Sequence, residues 1–503
     1  MTLCRFADKL FREFVYLRID IYLRGDAMFV GRDYEIQQFR RIAKLSKSSL
    51  VVCRGRRRIG KSTLIEHYAE EFPKFYEFQG LAPWEKLTNS DQLANFSSQL
   101  ADQLDLPLLQ LRSWHEAFVL LGRYTEQQHA LILLDEISWM ASEDRSFVGQ
   151  LKIAWDTVFK KNSRLMLVLC GSVSSWIDKN ILNSADFMGR VSLTIDLREL
   201  ALSDCNKFWG TVAKNVSSLE KFRILSVMGG VPRYLEEVDY SVSAEANITE
   251  LCFRRGGILF TEFDKIFNDI FQRRSGIYRK IVSTLADGSQ NFSDICATLK
   301  IDPNGAITGY LVDLVSSGFI QRDYVYSPKT GKRKKQSKYR LKDNYLRFFL
   351  KYIEPVKESV NSGIYEEQGV IPIQSFEGIL GLQFENLVLN NLPQVLKLLQ
   401  INSSQVRSAS PYFQNKTKRQ KSCQIDLLID TKYAIYICEI KFRKHITGKV
   451  VDEVQEKAKR LNIDSCKSVR KALIYVGEMA SDVEKRGAFD HIISFEQLLN
   501  HSQ

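Results

Sequence analysis

One stretch of this sequence has the residue types and spacing to hold phosphate groups. Residues 55–62 read GRRRIGKS and match the pattern G-x-x-x-x-G-K-[ST] at every fixed position. Glycines let such a loop turn tightly with its N–H groups pointing inward at an anion, while the lysine and serine can reach phosphate and Mg²⁺. The nucleotide is predicted to contact Gly55, Arg56, Arg57, Arg58, Ile59, Gly60, Lys61, Ser62 and Thr63.

Two short apolar runs end in side chains that could act on a bound nucleotide. The run 129–134 is followed by Asp135 and Glu136, and the run 164–171 is followed by Ser172. Such runs are typical of strands buried on both faces of a sheet. In P-loop ATPases an acid pair at this place holds Mg²⁺ through water and orients the attacking water, and a polar residue at the other strand end can sense the γ-phosphate. The alternatives are two solvated acids and a simple turn serine.

Two further positions could contact the nucleotide. Arg190 precedes a strand-like run, so its guanidinium could reach a nucleotide in its own chain or in a neighbouring subunit of an oligomer. It could equally be a surface arginine. Pro232 follows two glycines that end a helix, and a proline suits the first turn of the next helix. This turn could pack near the adenine or could simply join two helices.

Acidic side chains and a lysine are grouped near the C-terminus. Asp426 lies in one apolar run, and Glu439 and Lys441 lie two residues apart in the next, where a strand would place them on one face. Glu385 lies on an earlier helical stretch. The three acids could bind one or two Mg²⁺ ions, with the lysine activating a water and Gln455 adding to the site. The alternative is a strand pair with ordinary surface charges.

A set of motifs along the chain occurs in a characteristic order. The set comprises residues 29–32 (FVGR), 55–62, 134–136, 170–172, 189–190 and 229–234. Together they resemble the archaeal-type ATPase family, which belongs to the AAA+/STAND branch of P-loop NTPases. The resemblance covers about residues 29–350. It implies a RecA-like core with a helical lid and a winged helix, and ATP and Mg²⁺ as cofactors.

The C-terminal acids and lysine resemble the motif of the PD-(D/E)XK nuclease superfamily. Ile425 stands where the superfamily name has proline, at a position that varies within the superfamily. A similar domain is attached to many archaeal-type ATPases. The resemblance implies a nuclease-like α/β domain, and it leaves open whether that domain cleaves nucleic acid or is inactive.

A strongly basic segment lies between two strand-like runs of the predicted winged helix. Residues 329–342 contain eight lysines or arginines and no acid. A basic hairpin can lie along a phosphate backbone without reading bases. DNA is therefore the predicted partner, and the alternative is a solvated loop. The predicted contacts are Lys332, Arg333, Lys334 and Lys335.

Overall composition narrows the classes of protein that fit. The length of 503 residues predicts three or four domains of about 100–200 residues each. An excess of 71 lysines and arginines over 59 acids, a net charge of +12, hints at a polyanionic partner. The nine cysteines are scattered without CxxC spacing, and no apolar run is long enough for a membrane span. We expect a cytoplasmic protein with no membrane partner.

The predicted fold class is α/β, with a RecA-like P-loop ATPase core, a helical lid, a winged helix and a C-terminal α/β nuclease-like domain. An N-terminal extension occupies residues 1–27, unless translation begins at Met28, which is slightly favoured. The predicted boundaries are 28–205 for the core, 206–274 for the lid, 275–345 for the winged helix, 346–374 for a linker and 375–503 for the last domain.

The favoured function is ATP-controlled action on DNA, with possible cleavage by the C-terminal domain. One rival is a STAND-like switch, whose ATP state exposes the winged helix to DNA or a partner while the nuclease-like domain stays inactive. Another is a signalling ATPase that binds peptides or proteins, in which the positive charge is incidental.

Overall fold

The computed structural model describes residues 29–172, 174–271, 274–363, 377–418 and 420–500. The predicted N-terminal extension, the alternative start at Met28 and the predicted first residue of the last domain, Ser375, lie outside these ranges. Within them, no helix is long and apolar enough to cross a membrane.

A five-stranded parallel sheet, in the order β2-β3-β4-β1-β5, forms the centre of the first unit. Its strands are β1 Ser49–Arg54, β2 Lys74–Gln79, β3 Ala130–Asp135, β4 Leu165–Gly171 and β5 Val191–Asp196. Every residue of β3 and β4 is buried, as expected for strands covered on both faces. Because the strands are parallel, the carboxyl ends of β1, β3 and β4 meet at one edge of the sheet.

Side chains that point alternately to the two faces of the sheet divide the core of this unit into two layers. Leu50 and Val52 of β1 pack into one hydrophobic cluster, and Val51 and Cys53 pack into the other. Successive strand side chains point to opposite faces, so both faces of the sheet need helices over them. The helices of this unit are Asp33–Ala43, Lys61–Ala69, Asn89–Leu104, Trp114–Thr125, Ile137–Met140, Phe147–Thr157 and Ser174–Ile177.

A helical unit follows the sheet, and a second unit of three helices and a hairpin follows that. The helices of the first are Leu202–Cys205, Ser218–Met228, Pro232–Leu235, Ala244–Phe253 and Ile258–Phe271. The second contains the helices Ser275–Thr284, Phe292–Leu299 and Gly305–Ser316, followed by the strands β6 Ile320–Tyr326 and β7 Arg333–Leu341. The strands β6 and β7 pair antiparallel. These elements occur in the order predicted for a winged helix, and the helices Asn344–Phe348 and Lys357–Asn361 continue the chain.

The C-terminal part contains a mixed five-stranded sheet in the order β12-β11-β10-β9-β8. Its strands are β8 Val406–Gln414, β9 Cys423–Thr431, β10 Ala434–Ile446, β11 Ser468–Met479 and β12 His491–Ser494. Strand β10 pairs antiparallel with β9 and parallel with β11, so the predicted strand pair carrying Asp426 and Glu439 is confirmed. The helices are Glu377–Asn390, Leu392–Leu398, Lys449–Arg460, Ser481–Lys485 and Phe495–Leu499.

One hydrophobic core joins the helical unit, the hairpin unit and the C-terminal sheet. Phe222 of the helical unit contacts the rings of Phe384, Phe442 and Phe495, with centroids 5.6, 5.2 and 5.4 Å away. Aromatic pairs at these distances stabilise a core beyond their buried area. These parts therefore pack as neighbours with shared side chains, and the predicted domain boundaries stay predictions.

Candidate functional site

The phosphate loop lies between β1 and the helix Lys61–Ala69, where the sequence pattern predicts it. Gly60 caps this helix with φ of 80°, a left-handed conformation that glycine adopts without strain. A Cβ on Gly55 would collide with the carbonyl oxygen of Leu197, so only glycine fits there. The buried Lys61 donates a hydrogen bond to the carbonyl oxygen of Arg56, 3.2 Å away, which folds the lysine back over the loop.

The ends of the parallel strands bring four predicted side chains together. The Ser62 hydroxyl donates to Asp135 Oδ2 at 2.7 Å. The Ser172 backbone N–H and hydroxyl both donate to Glu136 Oε2, at 3.2 and 2.9 Å. Asp135 and Glu136 are buried, and Glu136 has φ of 48°, an uncommon conformation for a residue with a side chain. The arrangement orients one carboxylate beside Ser62 and holds the next against the end of β4.

This geometry suits the chemistry of a nucleoside triphosphate. The adjacent oxygens of Ser62 and Asp135 are hard ligands of the kind that Mg²⁺ prefers, so these residues fit the predicted ion. Backbone N–H groups of a glycine-rich loop and the following helix N-terminus favour phosphate oxygens. Glu136, fixed by Ser172, has a carboxylate that can accept a hydrogen bond from a water.

Two arginines of the phosphate loop are committed to protein carboxylates. The buried Arg56 forms an ion pair with Asp343 and lies 3.1 Å from Glu199. Arg58 donates to Glu262 at 2.9 Å. Burial by itself would lower the pKa of Arg56, but Asp343, Tyr234 and Glu199 together outweigh burial, so that pKa is raised. These two side chains therefore fix the loop to other units of the protein. The backbone N–H groups of the loop, rather than these arginines, are the groups expected to bind phosphate.

Arg57 and Pro232 stay close to the loop. The Arg57 guanidinium lies over the Trp139 ring, 5.9 Å from its centroid. Pro232 lines a small pocket together with Ile59, Thr63 and Phe29. At about 30 Å³ this pocket is too small to hold an adenine ring, so the predicted place of Pro232 near the adenine stays a prediction.

Arg190 is held by a carboxylate. Its Nε and Nη2 donate to the two oxygens of Asp156 at 2.9 and 2.8 Å, and Lys152 joins the same acid at 3.2 Å. Such a bidentate pair fixes the plane of the guanidinium. The predicted contact of Arg190 with the nucleotide of its own chain finds no support in this arrangement, and the contact with a neighbouring subunit remains a prediction.

The C-terminal acids and lysine are neighbours, as the motif predicts. Lys441 Nζ lies 2.7 Å from Glu439 Oε1, which confirms that the two side chains share a face of β10. Asp426 Oδ2 accepts a hydrogen bond from the Ile440 N–H at 2.9 Å. Burial, then the charges of Glu439 and Glu385, raises the pKa of Asp426 to about 7. Burial also raises the pKa of the Glu385 carboxyl.

A second lysine, which the sequence analysis did not identify, adds a positive charge to this cluster. Lys457 donates to both oxygens of the fully buried Glu439, at 2.8 and 2.6 Å. Gln455, which was predicted to join the site, is exposed instead. Helical periodicity carried a signal for Lys457, because it follows the buried Val450 and Val454 on the same face of their helix.

The predicted metal ligands Glu385, Asp426 and Glu439 stay a prediction. Among the residues that the structure describes, no group of three His, Cys, Asp or Glu side chains is arranged to hold a metal ion. The physical reason lies in Glu439, whose oxygens are already bound by the ammonium groups of Lys441 and Lys457. A divalent ion bound by Glu439 would have to displace at least one of these ammonium groups.

The basic hairpin between β6 and β7 packs against the C-terminal sheet. Lys334 and Lys338 lie over the rings of Tyr412 and Phe413, 5.4 and 4.3 Å from the centroids. The predicted DNA contacts Lys332, Arg333 and Lys335 are exposed, whereas Lys334 is partly covered. The predicted basic surface therefore exists, but two of its four cations lie over aromatic rings, because the Arg333 guanidinium is also 3.5 Å from the centroid of the Tyr324 ring.

Comparisons with known proteins agree with the nucleotide site. Residues 29–238 match a family described as an ATPase domain predominantly from Archaea. An uncharacterized protein of Methanocaldococcus jannaschii is 22% identical over 377 residues, which are 74% of this chain and 79% of that protein.

Two solved structures have a similar course of the chain. A Walker-type ATPase of Pyrococcus abyssi has a TM-score of 0.47 and 16% identity, covering 64% of this chain and 96% of its own. The ORC2 protein of Aeropyrum pernix, in ADPNP–ADP complexes, has a TM-score of 0.40 and 15% identity, covering 67% and 97%. The family match covers 210 of the 503 residues, so residues 29–238 are similar to an ATPase domain found predominantly in Archaea.

Proposed function

We propose that the protein is a Mg²⁺-dependent ATPase that acts on DNA. The observation that carries the proposal is the pairing of Ser62 with Asp135 beside the Glu136–Ser172 contact. Ser62 and Asp135 would hold Mg²⁺, which neutralises charge on the phosphates when it is bound. Loop N–H groups would hold the phosphate oxygens, and Lys61 would exchange its bond to the Arg56 carbonyl for the β- and γ-phosphates.

In the proposed reaction Glu136 positions the water that attacks the γ-phosphate. Its Oε2 is held by Ser172, so the carboxylate cannot rotate freely. A fixed acceptor lowers the entropy cost of placing the water in line. Ser172 thus acts through Glu136, which extends its predicted role as a sensor of the γ-phosphate. The test is ATP hydrolysis by the full chain, measured as phosphate release with and without Mg²⁺.

The proposed action on DNA rests on the hairpin between β6 and β7. Lys332, Arg333 and Lys335 are exposed on it, and cations on a hairpin can follow a phosphate backbone. The hairpin is anchored by Ser410, whose hydroxyl donates to the Tyr324 carbonyl at 3.0 Å. A rigidly placed basic edge loses less entropy on binding than a free loop does.

Neutralising the three exposed cations is expected to weaken DNA binding for all sequences alike. The variant Lys332→Gln, Arg333→Gln, Lys335→Gln should lower the slope of log affinity against log salt by about 0.9 for each lost phosphate contact. Lys334→Gln alone should have a smaller effect, because it removes a single cation and Lys334 is partly covered. The measurement is fluorescence anisotropy with labelled duplex DNA at several salt concentrations.

The matched control removes the same number of positive charges at positions outside the hairpin. Lys160, Lys161 and Lys214 are exposed and lie outside the hairpin, so replacing all three with glutamine should leave the slope as it is in the parent. If both triple variants behaved alike, the hairpin would be a solvated loop, and the signalling function without DNA would gain support.

A second candidate function is an ATP switch with an inactive C-terminal domain. The observation that favours it is the neutralisation of Glu439 by two lysines. The rival with nuclease activity keeps its own support, which is the contact of Glu439 with Lys441 beside Asp426.

A comparison of Asp426→Asn with the parent separates these two candidates. If the cluster is inactive, we expect Mn²⁺ to shift the melting temperature of nucleotide-free parent and variant equally, because neither binds the ion there. Supercoiled plasmid should then stay intact with Mg²⁺ and ATP. A metal-dependent stabilisation and plasmid nicking that Asp426→Asn abolishes would establish the nuclease instead.

A further inference from the structure

A cavity of about 440 Å³ lies where the ATPase domain meets the hairpin unit. Its walls include Gly55, Arg198 and Glu199 on one side and Gln321 and Lys342 on the other. Its volume falls within the range of about 300–1,000 Å³ that is usual for small-molecule sites. Gly55, Arg56 and Ile59 of the phosphate loop line this cavity, whereas Lys61, Ser62, Asp135 and Glu136 do not, so it adjoins the nucleotide site without including those four side chains.

A second cavity of about 190 Å³ shares part of this wall. Arg198, Glu199, Gln321 and Lys342 line both cavities, and Ser410 of the C-terminal sheet lines only the second. Three parts of the chain therefore contribute polar groups to one continuous lining. A site of this kind is complete only when the three parts are packed together.

Two cations of the described lining, Lys342 and Arg198, have no carboxylate oxygen closer than 3.8 Å. Among the described residues, no carboxylate forms an ion pair with the partly buried Lys342. Arg198 is 73% exposed and has Asp196 at 3.8 Å, the outer limit of an ion pair. By contrast, Arg340 is paired with Asp323 at 3.0 Å.

The surroundings of Lys342 disfavour the charged form of its ammonium group. Burial lowers the pKa of Lys342, and the nearby guanidinium groups of Arg198, Arg340 and Arg56 lower it further, while Glu199 opposes them. An unpaired cation away from bulk water is costly, and an anion would relieve that cost. A guanidinium and an ammonium together suit phosphate, whose oxygens accept several charge-assisted hydrogen bonds.

We propose that this junction binds a phosphorylated small molecule that carries hydroxyl groups. Lys342 and Arg198 contact its phosphate group, and Glu199 and Ser410 accept hydrogen bonds from its hydroxyls. Because Gly55 and Arg56 also line the cavity, the bound molecule rests against the phosphate loop of the ATPase domain. The site goes beyond ATP hydrolysis and DNA binding, and neither activity is needed for it.

The test uses the full chain saturated with ADP and Mg²⁺, so that the phosphate loop is filled. Ribose 5-phosphate and inorganic phosphate are the probes, and ribose is the uncharged control. We expect a saturable rise in melting temperature with ribose 5-phosphate, a smaller rise with phosphate and none with ribose. Lys342→Gln should weaken ribose 5-phosphate binding about tenfold, because one charge-assisted hydrogen bond is lost.

Two further variants keep the test decisive. Arg198→Gln changes an exposed rim residue with one long ion pair, and it should weaken ribose 5-phosphate binding even if Lys342→Gln proves unstable. Lys214→Gln, at an exposed lysine outside the cavity, should bind like the parent. ATP hydrolysis and DNA binding of these variants are measured separately, so a failure of the proposed function can be distinguished from a failure of the proposed phosphate site.

Three results would overturn the proposal. The first is that neither ribose 5-phosphate nor phosphate stabilises the ADP-saturated chain. The second is equal affinity of the parent and both cavity variants. The third is displacement of ribose 5-phosphate by a short DNA duplex in the parent, since the phosphate bound at the junction would then belong to a DNA backbone.

Discussion

Glu136→Gln is expected to bind ATP normally and to hydrolyse it about 10²–10⁴ times more slowly than the parent does. The amide keeps the size of the side chain but is a weaker acceptor for the attacking water. The Ser172 N–H and hydroxyl can still donate to the amide oxygen, so the local structure should persist. Phosphate release under single-turnover conditions measures the change in rate, and fluorescent ATP measures binding.

Two companion variants give this experiment its controls. Lys61→Ala should lose ATP binding itself, because the β- and γ-phosphates lose their counter-cation. Glu143→Gln changes an exposed acid close to Glu136 in sequence and should hydrolyse ATP at the parental rate. Parental hydrolysis by Glu136→Gln would show that another group positions the water.

Arg56→Ala is expected to destabilise the protein by about 3–5 kcal/mol. The change leaves the buried Asp343 and the neighbouring Glu199 without the cation that they share. For a domain of about 150–250 residues this corresponds to a melting temperature lower by about 10 °C. Calorimetry on the full chain measures it, and Arg41→Ala, at an exposed arginine, should melt like the parent.

A compensating variant separates the loss of charge pairing from the loss of packing. Asp343 caps its helix by accepting a hydrogen bond from the Leu346 N–H at 3.0 Å, and asparagine can do the same. Arg56→Met combined with Asp343→Asn and Glu199→Gln removes all three charges while keeping similar volumes. We expect it to recover most of the lost stability, because the two carboxylates that Arg56 neutralises lose their charge together with it. If Arg56→Ala melted like the parent, the ion pair would have no structural role.

The C-terminal cluster shows which contacts a sequence motif can predict and which it cannot. The period of two along a strand correctly placed Glu439 and Lys441 on one face of β10. It could not reveal that Lys457, from a helix later in the chain, forms an ion pair with the same Glu439 carboxylate. A motif specifies which residues can meet, and the packing of a helix on a sheet decides which charges compete for them.

The sequence alone determined the nucleotide site, because its signals are local. Gly55 and Gly60 lie five residues apart, and Asp135 and Glu136 directly follow an apolar run, so each motif can be recognised within a few residues. Parallel strands must then bring their carboxyl ends to one edge, so the approach of Ser62 to Asp135 followed from the order of the motifs.

Only the tertiary structure decided what surrounds that site. The loop arginines were predicted to contact nucleotide, yet Arg56 is anchored on Asp343 and Arg58 on Glu262. Likewise, the basic hairpin could have been a free loop, but Lys338 packs over Phe413 of the C-terminal sheet. No spacing in the sequence encodes these contacts, because each joins segments far apart in the chain whose approach depends on how whole units share a core.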